Sequence, residues 1–273
     1  MKRSVCHHLF VGLILVLAIF GCDQASIMKK MTSQEDEAAA KHYIELLRQN
    51  KFEQIENNLH SSIRPPDIRD TLAKMAGMIP AQTPESVKIV GSHIMHTPHS
   101  RTANITFEYQ FPGKWLLINV AIQKKNGVLT IVGFNVNPMP DSLEHINRFT
   151  LTGKGGIHYV ALLLIIFAPL FTLYALILCI KARLAKKKWL WIIFIVLGIG
   201  KFGVNWTTGQ WFVTPLAVQF FSAGAFAPAY GPWTLSVSLP LGAIIFLILR
   251  RRLKTKELTR GCTGSEQNAA PPA

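Results

Sequence analysis

The chain has 273 residues and a formal net charge of +14, and 49% of its residues are hydrophobic. The charge is uneven: residues 23–153 carry 14 basic and 13 acidic side chains, whereas residues 154–273 carry 13 basic and 2 acidic ones. No folded basic face is left to meet phosphates, which argues against nucleic-acid binding, and with Cys6, Cys22, Cys179 and Cys262 as the only cysteines there is no disulfide framework.

Lys2 and Arg3 precede an apolar run from Leu9 to Phe20. As a helix it reaches only about 18 Å, too short to span a bilayer, so residues 1–21 read as a secretory signal peptide. Its end, Ile19-Phe20-Gly21-Cys22, resembles the lipobox of bacterial prolipoproteins, with Phe20 in place of the usual small residue. The resemblance implies that Cys22 becomes an acylated, palmitate-bearing N-terminus. In enterobacterial members Asp at the next position, here Asp23, implies retention in the inner membrane. Residues 22–32 then form a lipidated start and a tether whose ten residues, Asp23 to Thr32, reach roughly 33 Å.

Residues 33–146 read as an α+β ectodomain. Thr32-Ser-Gln-Glu35 has the form of a capping box, and Ala38, Ala39, Tyr43, Leu46 and Leu47 follow at helical spacing. Phe52, Ile55 and Leu59 continue the period in a second helix, and a third is expected from Asp67 to Met75. Beyond Pro84 the period becomes two, which predicts strands at Ser86–Thr97, Thr102–Phe111, Trp115–Lys124 and Val128–Val136. Pro112-Gly113 and Asn126-Gly127 predict tight turns that make the last three strands a meander. The first turn pairs Tyr109 with Leu116, Phe107 with Ile118, Ile105 with Val120 and Ala103 with Ile122. The second pairs Ile122 with Ile131, Val120 with Gly133 and Ile118 with Asn135. Three helices before a curved four-stranded antiparallel sheet resemble the cone-shaped α+β superfamily of nuclear transport factor 2-like domains. A cystatin-like helix-on-sheet domain is the structural alternative.

Ile157 to Ile180 carries no formal charge and is followed by Lys181, Arg183 and Lys186 to Lys188. At 1.5 Å per residue it crosses a hydrocarbon core of about 30 Å, and the basic cluster marks its cytoplasmic end. Two further transmembrane helices are expected at 189–206 and 233–249, with an external interfacial or re-entrant segment at 207–232 between them and a cytoplasmic tail at 250–273. The fold class is thus an α+β ectodomain followed by an all-α membrane region of three transmembrane helices. The localisation expected is the bacterial cytoplasmic membrane, ectodomain outward.

No phosphate loop, nucleophile elbow, zincin helix or Cys-x-x-Cys pair occurs. His93, His96 and His99 are common ligand types, but strand alternation sends His93 and His96 to opposite faces and Pro98 interrupts the pattern, so no metal is expected. Lys201, inside an expected membrane helix, is either functional or snorkels to the headgroups. No Asp or Glu occurs between Glu144 and Glu257, which argues against a cation relay. The two registers place Tyr109, Asn135 and Asn137 together at a polar end of the inward face, where they could orient a small ligand of unknown identity. On the other face they gather Trp115, Leu117, Ala121, Val132, Phe134 and Val136, an apolar patch suited first to a homodimer, alternatively to packing against residues 207–232, or to cover by the domain's own first strand or C-terminal segment. The expectation is a non-enzymatic, cofactor-free envelope protein with an external binding or interaction domain and the lipid bilayer as partner. The alternatives are an accessory subunit of a larger membrane complex and an enzyme using the cone pocket.

Overall fold

The computed structural model describes residues 32–182 and 188–250. The signal peptide, Cys22, most of the tether and the tail beyond Arg250 lie outside the described residues. The chain divides into two compact units, one ending at Ile146 and the other beginning at Asn147.

In the first unit, helix α1 (Gln34–Arg48) begins where the Ser33 hydroxyl accepts a hydrogen bond from the Asp36 amide at 3.1 Å. The N-cap is Ser33, one residue beyond the Thr32 that the sequence pattern suggests, and Glu35, Asp36 and Glu37 occupy the positive end of the helix dipole. α1 stops at Asn50, whose φ of 55° turns the chain so that the Lys51 amide reaches the Leu46 carbonyl at 2.9 Å. Helix α2 (Phe52–Asn57), a 3₁₀ turn (Ser61–Ile63) and helix α3 (Ile68–Met78) follow.

Strands β1 (Ser86–Thr97), β2 (Ser100–Phe111), β3 (Lys114–Lys125) and β4 (Val128–Met139) form one antiparallel sheet in sequence order. Gly113 has φ 69°, and Asn126 and Gly127 have φ 52° and 80°, the left-handed pair that a two-residue hairpin turn matched to strand twist requires. β2 and β3 pair Tyr109 with Leu116, Phe107 with Ile118, Ile105 with Val120 and Ala103 with Ile122, the register that alternation predicts. These residues bury against Ile44 and Leu47 of α1, Ile55 of α2 and Leu72 of α3. Arg101 of β2 ties the sheet to α1, its guanidinium 2.7 Å from Asp36 Oδ1.

The register of β4 corrects the sequence reading. Ile122 pairs with Ile131 as expected, but Ala121 pairs with Gly133, so Val132 is an extra residue, and beyond it Val120 faces Phe134, Ile118 faces Val136 and Leu116 faces Pro138. A one-residue bulge exchanges the two faces of the rest of the strand. The physical reason is burial: strict alternation would put Gly133, Asn135 and Asn137 into the core, whereas the bulge puts Phe134 and Val136 there, 9% and 5% exposed. The backbone of Ile131 is fixed from outside the sheet, donating to the Asn58 carbonyl at 2.8 Å and accepting from the His60 amide at 2.9 Å. After β4, the short helix α4 (Leu143–Ile146) folds back, and the Leu143 amide donates to Glu108 Oε2 at 2.6 Å, closing one end of the outer face.

The second unit overturns the all-α, three-span expectation. Helix α5 (Gly156–Lys181), with Pro169 inside it, is the one helix among the described residues long and apolar enough to cross a membrane. The expected helix 189–206 is instead helix α6 (Lys188–Val196) and strand β5 (Leu197–Asn205). The expected helix 233–249 is strand β8 (Thr234–Leu239) and helix α7 (Leu241–Arg250). Segment 207–232, expected as interfacial, holds strands β6 (Trp211–Phe220) and β7 (Ala223–Phe226), and the antiparallel sheet runs β6-β5-β8-β7.

Backbone chemistry explains the change. Gly198, Gly200 and Gly203 each weaken a helix by about 1 kcal/mol, Gly200 adopts φ 73°, and the Gly203 Cα lies under the Phe212 ring, where a side chain has no room. Gln219 then satisfies the serines of β8, accepting from Ser238 Oγ at 2.7 Å and placing its amide nitrogen 3.0 Å from Ser236 Oγ. Both segments still run beside α5. Ile195 of α6 and Phe246 of α7 pack on Ala175 and Cys179 near one end of it, while the Trp206 indole at the end of β5 donates to the Thr150 carbonyl near the other.

Candidate functional site

Among the described residues, those that the sequence singles out do not assemble into a site. Tyr109 is a core residue between Phe107 and Phe111, with ring centroids 6.3 Å and 6.1 Å away, and burial pushes its phenol up to about 12. Asn135 and Asn137 are exposed on the opposite face, so the expected polar trio does not form. The outward apolar patch dissolves for the same reason: Trp115, Leu117 and Ala121 remain on the outer face, Val132 is the bulge residue, and Phe134 and Val136 turn into the core. Opposite Trp115 and Leu117 stand Met139 and Asn137, and Asn119 faces Asn135 while donating to Asn104 Oδ1 at 2.5 Å. That face is a row of amides rather than a hydrophobic interface. A sequence signal for the bulge exists: Ile131, Phe134 and Val136 are strongly apolar, and the step of three between the first two breaks a period of two.

His93 pairs with Asn104 and His96 with Arg101 on opposite faces of β1, His99 lies in the turn before β2, and no cluster of metal-ligating side chains occurs among the described residues. Lys201 sits on β5, not on a membrane helix. It pairs with Thr214, and its ammonium stands over the Phe212 ring, 5.8 Å from the centroid. Cys22 lies outside the described residues.

What the second unit does build is an open apolar groove of about 510 Å³ between α5 and the sheet. Leu164, Phe167, Ala168 and Phe171 form its helical wall at positions i, i+3, i+4 and i+7. The sheet wall is Ile199 and Phe202 of β5, Val213 of β6, and Val237 and Leu239 of β8, residues that register places on one face. Pro240 and Ile244 close one end. Gly200, Lys201 and Ser238 complete the lining; the Lys201 ammonium lies 5.8 Å from the Phe212 ring centroid, and the Ser238 hydroxyl donates to Gln219 Oε1. A cavity of this size lies within the range of small-molecule sites, about 300–1,000 Å³, and its carbon lining suits a hydrocarbon chain rather than a reacting polar group.

Near the start of α5 a collar of aromatics is held by hydrogen bonds. Trp206 is buried, stacked on Phe149 at 4.6 Å and met edge-on by His158 at 5.3 Å, while its backbone amide donates to Trp233 at 2.7 Å. The Lys154 ammonium lies 5.9 Å from the Trp206 ring centroid. Gly209, at φ 74°, leaves just enough space for the His158 ring, whose Nε2 is buried without a hydrogen-bond partner among the described residues. At the other end, the Lys188 ammonium donates to the Ala182 carbonyl at 3.1 Å beyond the end of α5. The apolar length of α5 thus lies between an aromatic and a basic end.

No protein-family model, curated protein or solved structure matches the chain.

Proposed function

We propose that this chain is a non-enzymatic, membrane-bound protein of the bacterial envelope, held in the cytoplasmic membrane by α5, with its first α+β unit outside the cytoplasm as a binding or interaction module. The observation that carries this reading is the exposure of α5. Across 26 residues it carries no carboxylate, and Leu163, Ile166 and Leu170 are 65%, 56% and 59% exposed. A soluble core helix of this composition would be covered; each such side chain left in water forgoes about 1.5–3 kcal/mol. The aromatic collar and the basic end support the same placement, with Lys181 and Lys188 on the cytoplasmic side. Acylation of Cys22 would add a second attachment, which stable anchoring by lipid chains requires.

The edge of β6, unpaired among the described residues, favours a second reading, an accessory subunit of a larger membrane complex. Ten residues of edge strand expose Trp211, Val213, Leu216, Val218 and Phe220. In hydrocarbon an uncovered strand edge is costly, so a protein neighbour along β6 would complete it.

Alkaline carbonate extraction of membranes expressing the full chain tests the anchoring: the protein is expected in the pellet and to enter solution only with detergent. Release by carbonate alone refutes it. Mass spectrometry of the mature N-terminus tests Cys22, where an unmodified cysteine removes the lipoprotein reading. Recovery of a stoichiometric partner in mild detergent decides for the accessory-subunit reading.

A further inference from the structure

We infer that the groove between α5 and the sheet is a binding site for a single acyl chain of a membrane lipid. The inference rests on the reading of α5 as a membrane helix and goes beyond it, because an anchor helix needs only a smooth apolar surface, whereas this one forms a wall of a recess. The recess is open, and its helical wall is continuous with the exposed stripe of α5: Phe167 lines the groove while remaining 59% exposed, next to Ile166 and Leu170. The stripe that meets the bilayer therefore leads into the groove without crossing a polar rim.

The backbone builds the depth. β5 carries one extra residue against β8 around Gly200, which keeps Ile199 and Phe202 together on the groove face, while the ammonium of Lys201, which also lines the groove, lies over the Phe212 ring. Ala168 is the small residue in the helical wall, where a larger side chain would fill the recess. The lining is almost wholly carbon; its two polar side chains are Ser238, whose hydroxyl donates to Gln219, and Lys201, whose ammonium lies over the Phe212 ring. The occupant selected is a flexible hydrocarbon whose headgroup stays outside the groove. Water is the poorest occupant, since it finds few polar partners there.

The test uses the full chain reconstituted into phospholipid vesicles containing a phosphatidylglycerol with a diazirine in its acyl chain, with adduct positions read by peptide mass spectrometry. The expected result is adducts at Phe202 and Leu239 as well as at Leu163, with the groove adducts persisting at a detergent concentration that removes those at Leu163. Ala168→Phe, or Val237→Phe should the helix variant fail to reconstitute, fills the recess. Displacing two methylenes at about 0.8 kcal/mol each predicts roughly a tenfold loss of groove adducts, with Leu163 labelling unchanged. Adducts at Leu163 alone overturn the site and leave the membrane helix standing. Absence of adducts at both positions overturns the membrane reading and the site with it.

Discussion

The bulge at Val132 gives a sharp test, because it reverses the faces of neighbouring residues. Phe134 is 9% exposed and belongs to the core, while Asn135 beside it is exposed on the outer face. Replacing a buried Phe by Ala costs about 3–5 kcal/mol, and the lower end applies here because β4 is an edge strand. Asn135→Ala, on a solvated face, should stay within about 0.5 kcal/mol. The assay is urea unfolding of a fragment comprising residues 32–146, followed through Trp115, its only tryptophan. With m of about 1–3 kcal/mol per molar urea, a loss of about 3 kcal/mol lowers the midpoint by roughly 1–3 M. The Phe134→Ala midpoint should fall by that amount and that of Asn135→Ala should hardly move. Equal small shifts, or a larger loss at Asn135, would mean that β4 continues in strict alternation and that the patch read from the sequence faces outward after all.

Three further outcomes follow from the same unit and its neighbour. Tyr109 ionises at about 12 when folded, against 10.0 for the unperturbed phenol, so the stability linked to its neutral form is complete below pH 10 and is lost as pH rises toward 12. The urea midpoint of the 32–146 fragment should therefore fall between pH 9 and pH 11 by less in Tyr109→Phe than in the wild type, and identical slopes would refute the assignment. Asp36 accepts from both Arg101 and the Ser33 hydroxyl, so Asp36→Ala should cost about 2 kcal/mol, and a double-mutant cycle with Arg101→Ala that gives no coupling would show the ion pair to be idle. In the second unit the Gly242 Cα lies against the Phe194 carbonyl, so Gly242→Leu should force α7 from α6 at about 1–3 kcal/mol, read as a lower melting temperature of the full chain in detergent, whereas an unchanged melting temperature would mean the helices do not pack there.

Local chemistry determined much of the first unit. Asn126-Gly127 and Pro112-Gly113 specify their turns because few residues accept positive φ, and the pairing of Tyr109 through Ala103 with Leu116 through Ile122 follows from the Pro112-Gly113 turn and the apolar residues at every second position on both strands. The length and composition of 157–180 likewise marked α5 without reference to any contact. Tertiary structure decided the rest. A strand slips past strict alternation when one extra residue allows Phe134 and Val136, instead of Asn135 and Asn137, to reach a core already assembled from α1, α2 and α3, and that gain exists only in the folded unit. Segment 189–206 has no polar face to reveal its period, so hydropathy alone cannot separate helix from strand there, whereas in 233–249 Thr234, Ser236 and Ser238 alternate with Leu235, Val237 and Leu239, a period of two that overall hydropathy hides. The choice fell to contacts distant in sequence: Phe212 over Gly203, Gln219 with Ser236 and Ser238, and Trp206 with Thr150. The groove beside α5 is a product of that choice, since a helix in place of β5 would not have set Ile199 and Phe202 against Phe167 and Ala168.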